Sequence, residues 1–89
     1  MNYMSSLEIK NSRDIEMRFD LEPWGEQYKM QPGESFRVVA SAPTSGELVI
    51  DVEEKVITVF GWSGSIVQLF QDGTEIGGSP QSVPPTPRK

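Results

Sequence analysis

Between residues 15 and 22 the chain alternates apolar and charged side chains without a break. Ile15, Met17, Phe19 and Leu21 fall on one face, and Glu16, Arg18, Asp20 and Glu22 on the other. Period-2 alternation of this length predicts a half-buried antiparallel strand, because successive side chains of an extended backbone point to opposite faces. The run ends on Pro23-Trp24-Gly25, a breaker and a turn former around a large aromatic. A shorter run over residues 27–30 places Tyr28 and Met30 on one face, and Pro32-Gly33 stops it. From Pro23 to Gly78, Gly and Pro interrupt the chain so that no apolar stripe of 3.6-residue period persists. A helical fold is excluded.

The remainder repeats the same grammar. Residues 5–10 predict a short first strand with Leu7 and Ile9 on one face. In residues 35–41, Phe36, Val38 and Ala40 alternate against Arg37, Val39 and Ser41. Residues 47–53 set Leu48, Ile50 and Val52 inward and Glu47, Asp51 and Glu53 outward, and Glu53-Glu54 reads as a tight turn. Residues 55–62 are apolar on both faces, which suits a central strand. Residues 66–71 follow, and Asp72-Gly73 is a two-residue hairpin signal leading into a last strand over 74–76.

Seven to eight short strands at this spacing predict a small antiparallel β-sandwich or barrel with Greek-key-like connections. Its core should draw on Leu7, Ile9, Ile15, Met17, Phe19, Leu21, Phe36, Val38, Leu48, Ile50, Val59, Val67 and Leu69. One β domain is expected over residues 1–78. Residues 79–89, with four prolines and Val83 as the one apolar side chain, predict a disordered Pro-rich tail.

Composition narrows the function classes. The 89 residues contain no cysteine and no histidine. That removes disulfides, thiolate metal sites, a thiol nucleophile, the commonest general base and the commonest transition-metal ligand. Thirteen acids stand against eight bases, a net charge of −5, and two of the bases are the terminal Arg88 and Lys89. An acidic chain without clustered Lys and Arg fits neither nucleic acid nor an anionic membrane surface. The N-terminal residues show no basic region followed by an apolar stretch, and no apolar run approaches a membrane span, so a cytoplasmic protein is expected.

Three sets of side chains qualify as candidate sites. Met1, Met4, Met17 and Met30 offer soft thioethers. However, Met17 and Met30 lie on apolar strand faces, Met1 and Met4 fall in a loose N-terminus, and no metal or cofactor is expected. Glu47, Asp51, Glu53 and Glu54 form an acidic row without the turn pattern of a calcium loop, and they read as a solvated outer face, as do Asp20, Glu22 and Glu26. Trp24, Tyr28 and Trp62 are the candidate ligand-binding residues, since aromatic faces stack on sugar rings or anchor a protein partner. The competing reading makes both indoles lids on the open ends of the sandwich, each Nε1–H reaching a backbone carbonyl. Pro84, Pro87 and Lys89 fit a polyproline-groove pattern, for which a plain tail is the simpler reading. The serines have no histidine to activate them, so no catalytic residue is assigned.

The run Leu21-Glu22-Pro23-Trp24-Gly25-Glu26, followed by Tyr28, Met30, Pro32-Gly33 and Phe36-Arg37-Val38-Val39, resembles a segment found in small bacterial proteins of unknown function. Pro-Gly followed by an alternating strand is also similar to the core of cupredoxin-like sandwiches, whose copper ligands are all missing here. The resemblance implies fold only. The expected function is a non-enzymatic binding or accessory β-module acting through an exposed sheet face or edge, self-association included. The alternative is a carbohydrate-binding module using Trp24, Tyr28 and Trp62. An enzyme resting on carboxylates alone ranks last.

Overall fold

The computed structural model describes residues 2–78, and the Pro-rich segment 79–89 with its polyproline pattern lies outside the described residues. Within the described residues eight strands follow one another without a helix: β1 (Tyr3–Lys10), β2 (Met17–Glu22), β3 (Glu26–Met30), β4 (Ser35–Ala42), β5 (Val49–Val52), β6 (Val56–Phe60), β7 (Ile66–Gln71) and β8 (Thr74–Gly78). They form two four-stranded sheets, ordered β1-β4-β7-β8 and β3-β2-β6-β5. The fold is a small, mostly antiparallel β-sandwich.

Turn chemistry places several joints where the sequence marks them. At Pro32-Gly33 the Glu34 amide donates to the Gln31 carbonyl at 3.0 Å, and Gly33 takes the positive φ of 86° that position demands. Asp72 and Gly73 both have positive φ, 52° and 79°, the conformation a two-residue hairpin favours because it matches strand twist. The β5–β6 turn is Glu54-Lys55, one residue beyond the expected Glu53-Glu54, since the Glu53 amide donates to the Val56 carbonyl at 2.8 Å. The first strand begins at Tyr3, so Met4 belongs to a strand rather than to a loose N-terminus.

The organising strand β2 starts two residues later than its alternation suggests, and Ile15 is half-buried in the approach to it. It pairs antiparallel with β3 but parallel with β6, Leu21 opposite Val59 and Glu22 opposite Phe60. Alternation fixes which face a side chain takes and carries no information on the direction of the neighbour. The parallel pairing brings the C-terminal ends of β2 and β6 together, and the Gly61 amide donates to the Glu22 carbonyl at 3.1 Å.

Met17, Phe19, Leu21, Phe36, Val38, Val59, Val67 and Leu69 are buried as expected, joined by Met30, Ala40, Ala42 and Ile57. Leu7, Ile9, Ile15 and Leu48 are half-buried against this cluster. Ile50 departs from expectation, being 39% exposed. It stands opposite the buried Val59, so it does face inward, but β5 is the last strand of its sheet and little covers that face.

The two flanks of the sandwich differ. At one flank β8 meets β3: the ring of Tyr28 lies over the backbone of Gly77, and the Glu26 carboxylate accepts hydrogen bonds from the Tyr28 hydroxyl and, at 3.1 Å, from the Gly78 amide. The sheet orders then leave β1 and β5 as the edge strands of the other flank. There Tyr3, Ile50 and Val52 expose apolar surface. That flank is open.

Candidate functional site

The candidate site is the free edge of β5. All four residues of this strand, Val49, Ile50, Asp51 and Val52, are exposed. Val49 is 55% and Val52 67% exposed, and on the outer face Val49 stands beside Phe60, its cross-strand neighbour, at 38%. β-branched residues favour the extended state, so the segment forms a strand although it buries little. The hairpin also fixes where its backbone groups point. Glu53 and Val56 form a hydrogen-bonded pair, and in an antiparallel ladder such pairs alternate with non-bonded ones. Asp51 opposite Thr58 and Val49 opposite Phe60 therefore bond to β6, whereas the amides and carbonyls of Ile50 and Val52 point away from it. Among the described residues no strand pairs with this edge, which carries backbone donors and acceptors flanked by apolar side chains.

Two of the other three edges are blunted, and β1 carries its charges only in its last three residues. β1 carries Glu8 and Lys10, with Arg37 3.7 Å from the Glu8 carboxylate. β3 carries Lys29 and is tied to β8 through Tyr28 and Glu26. β8 has a register shift at Leu69/Phe70 and ends on two glycines. Charges, bulges and covered edges are the ordinary defences against strand pairing. β5 has neither bulge nor proline nor lysine, and its one charge is Asp51.

The aromatic candidates are engaged within the fold. Trp62 is half-buried, its Nε1–H donates to the Thr44 carbonyl at 3.1 Å, and its ring lies on the backbone of Gly46. Its own amide donates to the hydroxyl of the buried Ser65 at 3.0 Å. Trp24 is half-buried against the core in the β2–β3 turn, where the Gly25 amide returns to the Leu21 carbonyl at 3.0 Å. The parallel β2–β6 pairing brings both tryptophans to one end of the sandwich. Tyr28 is not with them. It sits mid-strand opposite Phe19, its ring edge-on to Phe19 and Phe36 at 6.4 and 6.3 Å. Burial, then the hydrogen bond and negative charge of Glu26, push its phenol up to about 12.

Two of the acids read as solvated have structural roles. Asp20 is 7% exposed on an inner strand flanked by β3 and β6, and Arg18 caps its carboxylate with two bonds at 3.0 and 3.1 Å. Glu26 faces inward and closes the β3–β8 flank. Glu47, Asp51, Glu53 and Glu54 are exposed. Among the described residues no three acids converge to hold a metal ion, and every buried side-chain nitrogen and oxygen has a hydrogen-bond partner.

Two shallow grooves lie on the sheets. One of about 430 Å³ runs past Glu8, Arg37 and Phe70, and one of about 280 Å³ past Arg18, Tyr28 and Lys29. Neither gathers the buried, convergent polar groups that fix a small ligand. No sequence feature singles out β5, since apolar pairs like Val49-Ile50 recur at Val38-Val39, Val56-Ile57 and Ile66-Val67. No helix among the described residues is long and apolar enough to cross a membrane. Comparison with protein-family models, with curated proteins and with solved structures finds no match to this chain.

Proposed function

We propose that this chain is a non-enzymatic binding module that takes up a protein segment by strand addition at the free edge of β5. The observation that carries the reading is the exposure of every β5 residue together with the outward backbone groups of Ile50 and Val52. A strand added there gains main-chain hydrogen bonds and covers the apolar face that Ile50 and Val52 leave open. The segment would extend the β3-β2-β6-β5 sheet by one strand.

Photo-crosslinking tests this. A benzoylphenylalanine replacing Val49 should label a discrete protein in extracts of the native cell, and the same group at Ser12 or Thr74 should not. Ile50→Pro, which removes an outward amide and leaves the β5–β6 ladder intact, should erase the adduct. Equal labelling at the control positions, or an adduct indifferent to Ile50→Pro, would overturn the reading.

A further inference from the structure

The charge around β5 narrows what can pair with it. Glu47, Asp51, Glu53 and Glu54 are all exposed, and the cations beside them are at the β5–β6 turn, Lys55 within it and Arg13 donating to the Glu54 carbonyl. Within β5, Val49 and Asp51 take the outer face and Ile50 and Val52 the inner one; Glu53, bonded to Val56, continues the outer face, and Glu47 lies two residues before the strand begins. Directly opposed residues in an antiparallel pair lie on the same face, and like charges placed opposite one another are destabilising.

A second copy of β5 meets this penalty in each face-matched register centred on a β5 residue once the added pair extends to Glu47 and Glu53. A two-fold axis at Val49 sets Glu47 against Asp51, and one at Ile50 sets Glu47 against Glu53. An axis at Asp51 sets that residue against itself, and one at Val52 sets Asp51 against Glu53. Each arrangement opposes carboxylates across the new pair. This charge disfavours self-pairing, although the apolar side chains and the free backbone would otherwise invite it.

We infer that the occupant of the β5 edge is an extended segment of another protein in which apolar residues alternate with lysine or arginine. This rests on the strand-addition reading above and names the chemistry of the partner. Apolar side chains of the segment continue the inner face beyond Ile50 and Val52. Its basic side chains meet Glu47, Asp51 and Glu53 on the outer face, and its backbone bonds to the outward groups of Ile50 and Val52. Main-chain bonds supply attachment and the alternating charges supply selection.

Fluorescence anisotropy with labelled synthetic peptides of about eight residues, a strand's length, tests the inference. Three are compared: valine alternating with lysine, with serine and with glutamate. The lysine peptide should bind about tenfold tighter than the serine one, from three opposite-charge cross-strand pairs, and the glutamate peptide should not bind. Added salt should reduce the lysine preference. Ile50→Pro should abolish binding, and a Glu47→Gln, Asp51→Asn, Glu53→Gln variant should bind the lysine and serine peptides alike. Hydrogen exchange on the unaltered protein gives the same answer without a variant: bound lysine peptide should protect the amides of Ile50 and Val52.

Equal binding of lysine and serine peptides, lost in Ile50→Pro, would overturn the charge selection and leave strand addition standing. The same division follows if sedimentation shows a dimer that Ile50→Pro dissociates. Lysine-peptide binding that ignores Ile50→Pro and protects neither amide would overturn both, as would no binding of any peptide by a monomeric protein.

Discussion

The phenol of Tyr28 occupies the space that a side chain on Gly77 would need: a Cβ there falls 1.7 Å from the Tyr28 Oη and 2.4 Å from its Cζ. The ring cannot simply step aside. It stands edge-on against both Phe19 and Phe36, and its hydroxyl donates to Glu26. Gly77→Ala should therefore destabilise the protein by about 1–3 kcal/mol, as overpacking of a filled site does. Urea unfolding measures it. The Gly77→Ala, Tyr28→Ala pair should cost less than the two changes summed, because removing the ring removes the clash.

The same ring makes stability sensitive to alkali. The Tyr28 phenol is raised from 10.0 to about 12 in the folded state, so the unfolded chain gives up this proton first. Its contribution is fully present below pH 10 and is lost as pH rises towards 12. The urea midpoint of the native protein should fall across that window. Tyr28→Phe should start lower and show a shallower alkaline fall, and an equally steep fall would remove Tyr28 as its cause.

Asn11 fastens the end of the sandwich away from Trp24 and Trp62. It is 1% exposed, its Nδ2 donates to the carbonyls of Ile15 and Met30 at 2.9 Å each, and its Oδ1 accepts from the Arg13 amide at 3.0 Å. Asn11→Ala should cost about 2–4 kcal/mol, since buried carbonyls lose their donors. Asn11→Asp replaces the donor with a carboxylate facing two carbonyls. Its folded pKa should be raised, so this variant should gain stability as pH falls through the carboxylate range. Chemical denaturation at pH 7 and pH 4 separates the two variants.

Gly46 plays for Trp62 the part Gly77 plays for Tyr28. A Cβ at Gly46 would lie 2.1 Å from the indole Cδ1 and 2.2 Å from Cγ. Gly46 is in a loop that can yield, so the larger effect of Gly46→Ala should fall on the indole. The Nε1 bond to Thr44 should break, emission should move to the red and iodide should quench it more strongly. The stability loss should stay near ~1–2 kcal/mol, the scale of one hydrogen bond and modest overpacking. Unchanged emission would show that the loop moves instead of the ring.

Residues whose role is set by their neighbours in sequence could be read directly. Pro32-Gly33 and Asp72-Gly73 make the turns their chemistry implies, and the strand apolar on both faces, β6, does lie between two others. Roles set by distant strands could not. Alternation put Ile50 and Val52 on the inward face, but only the sheet order shows that β5 is an edge and that this face stays open. Trp24 and Trp62 lie at the same end because β2 and β6 run parallel, a direction no local pattern encodes. Asn11 looks like any turn asparagine in sequence, and its burial depends on Met30 and Glu34 returning beside it.

The two inner strands of the first half, β2 and β4, each depend on a partner from the second half, β6 and β7 respectively. Neither sheet can be completed until those later strands arrive. The first four strands amount to two incomplete pairs, β1 with β4 and β2 with β3, whose inner strands each retain an unsatisfied edge. Contacts of long sequence separation make folding slow and concerted. On the ribosome the chain should therefore stay unfolded until β7 has emerged, and a cut between β4 and β5 should yield two fragments that fold only together.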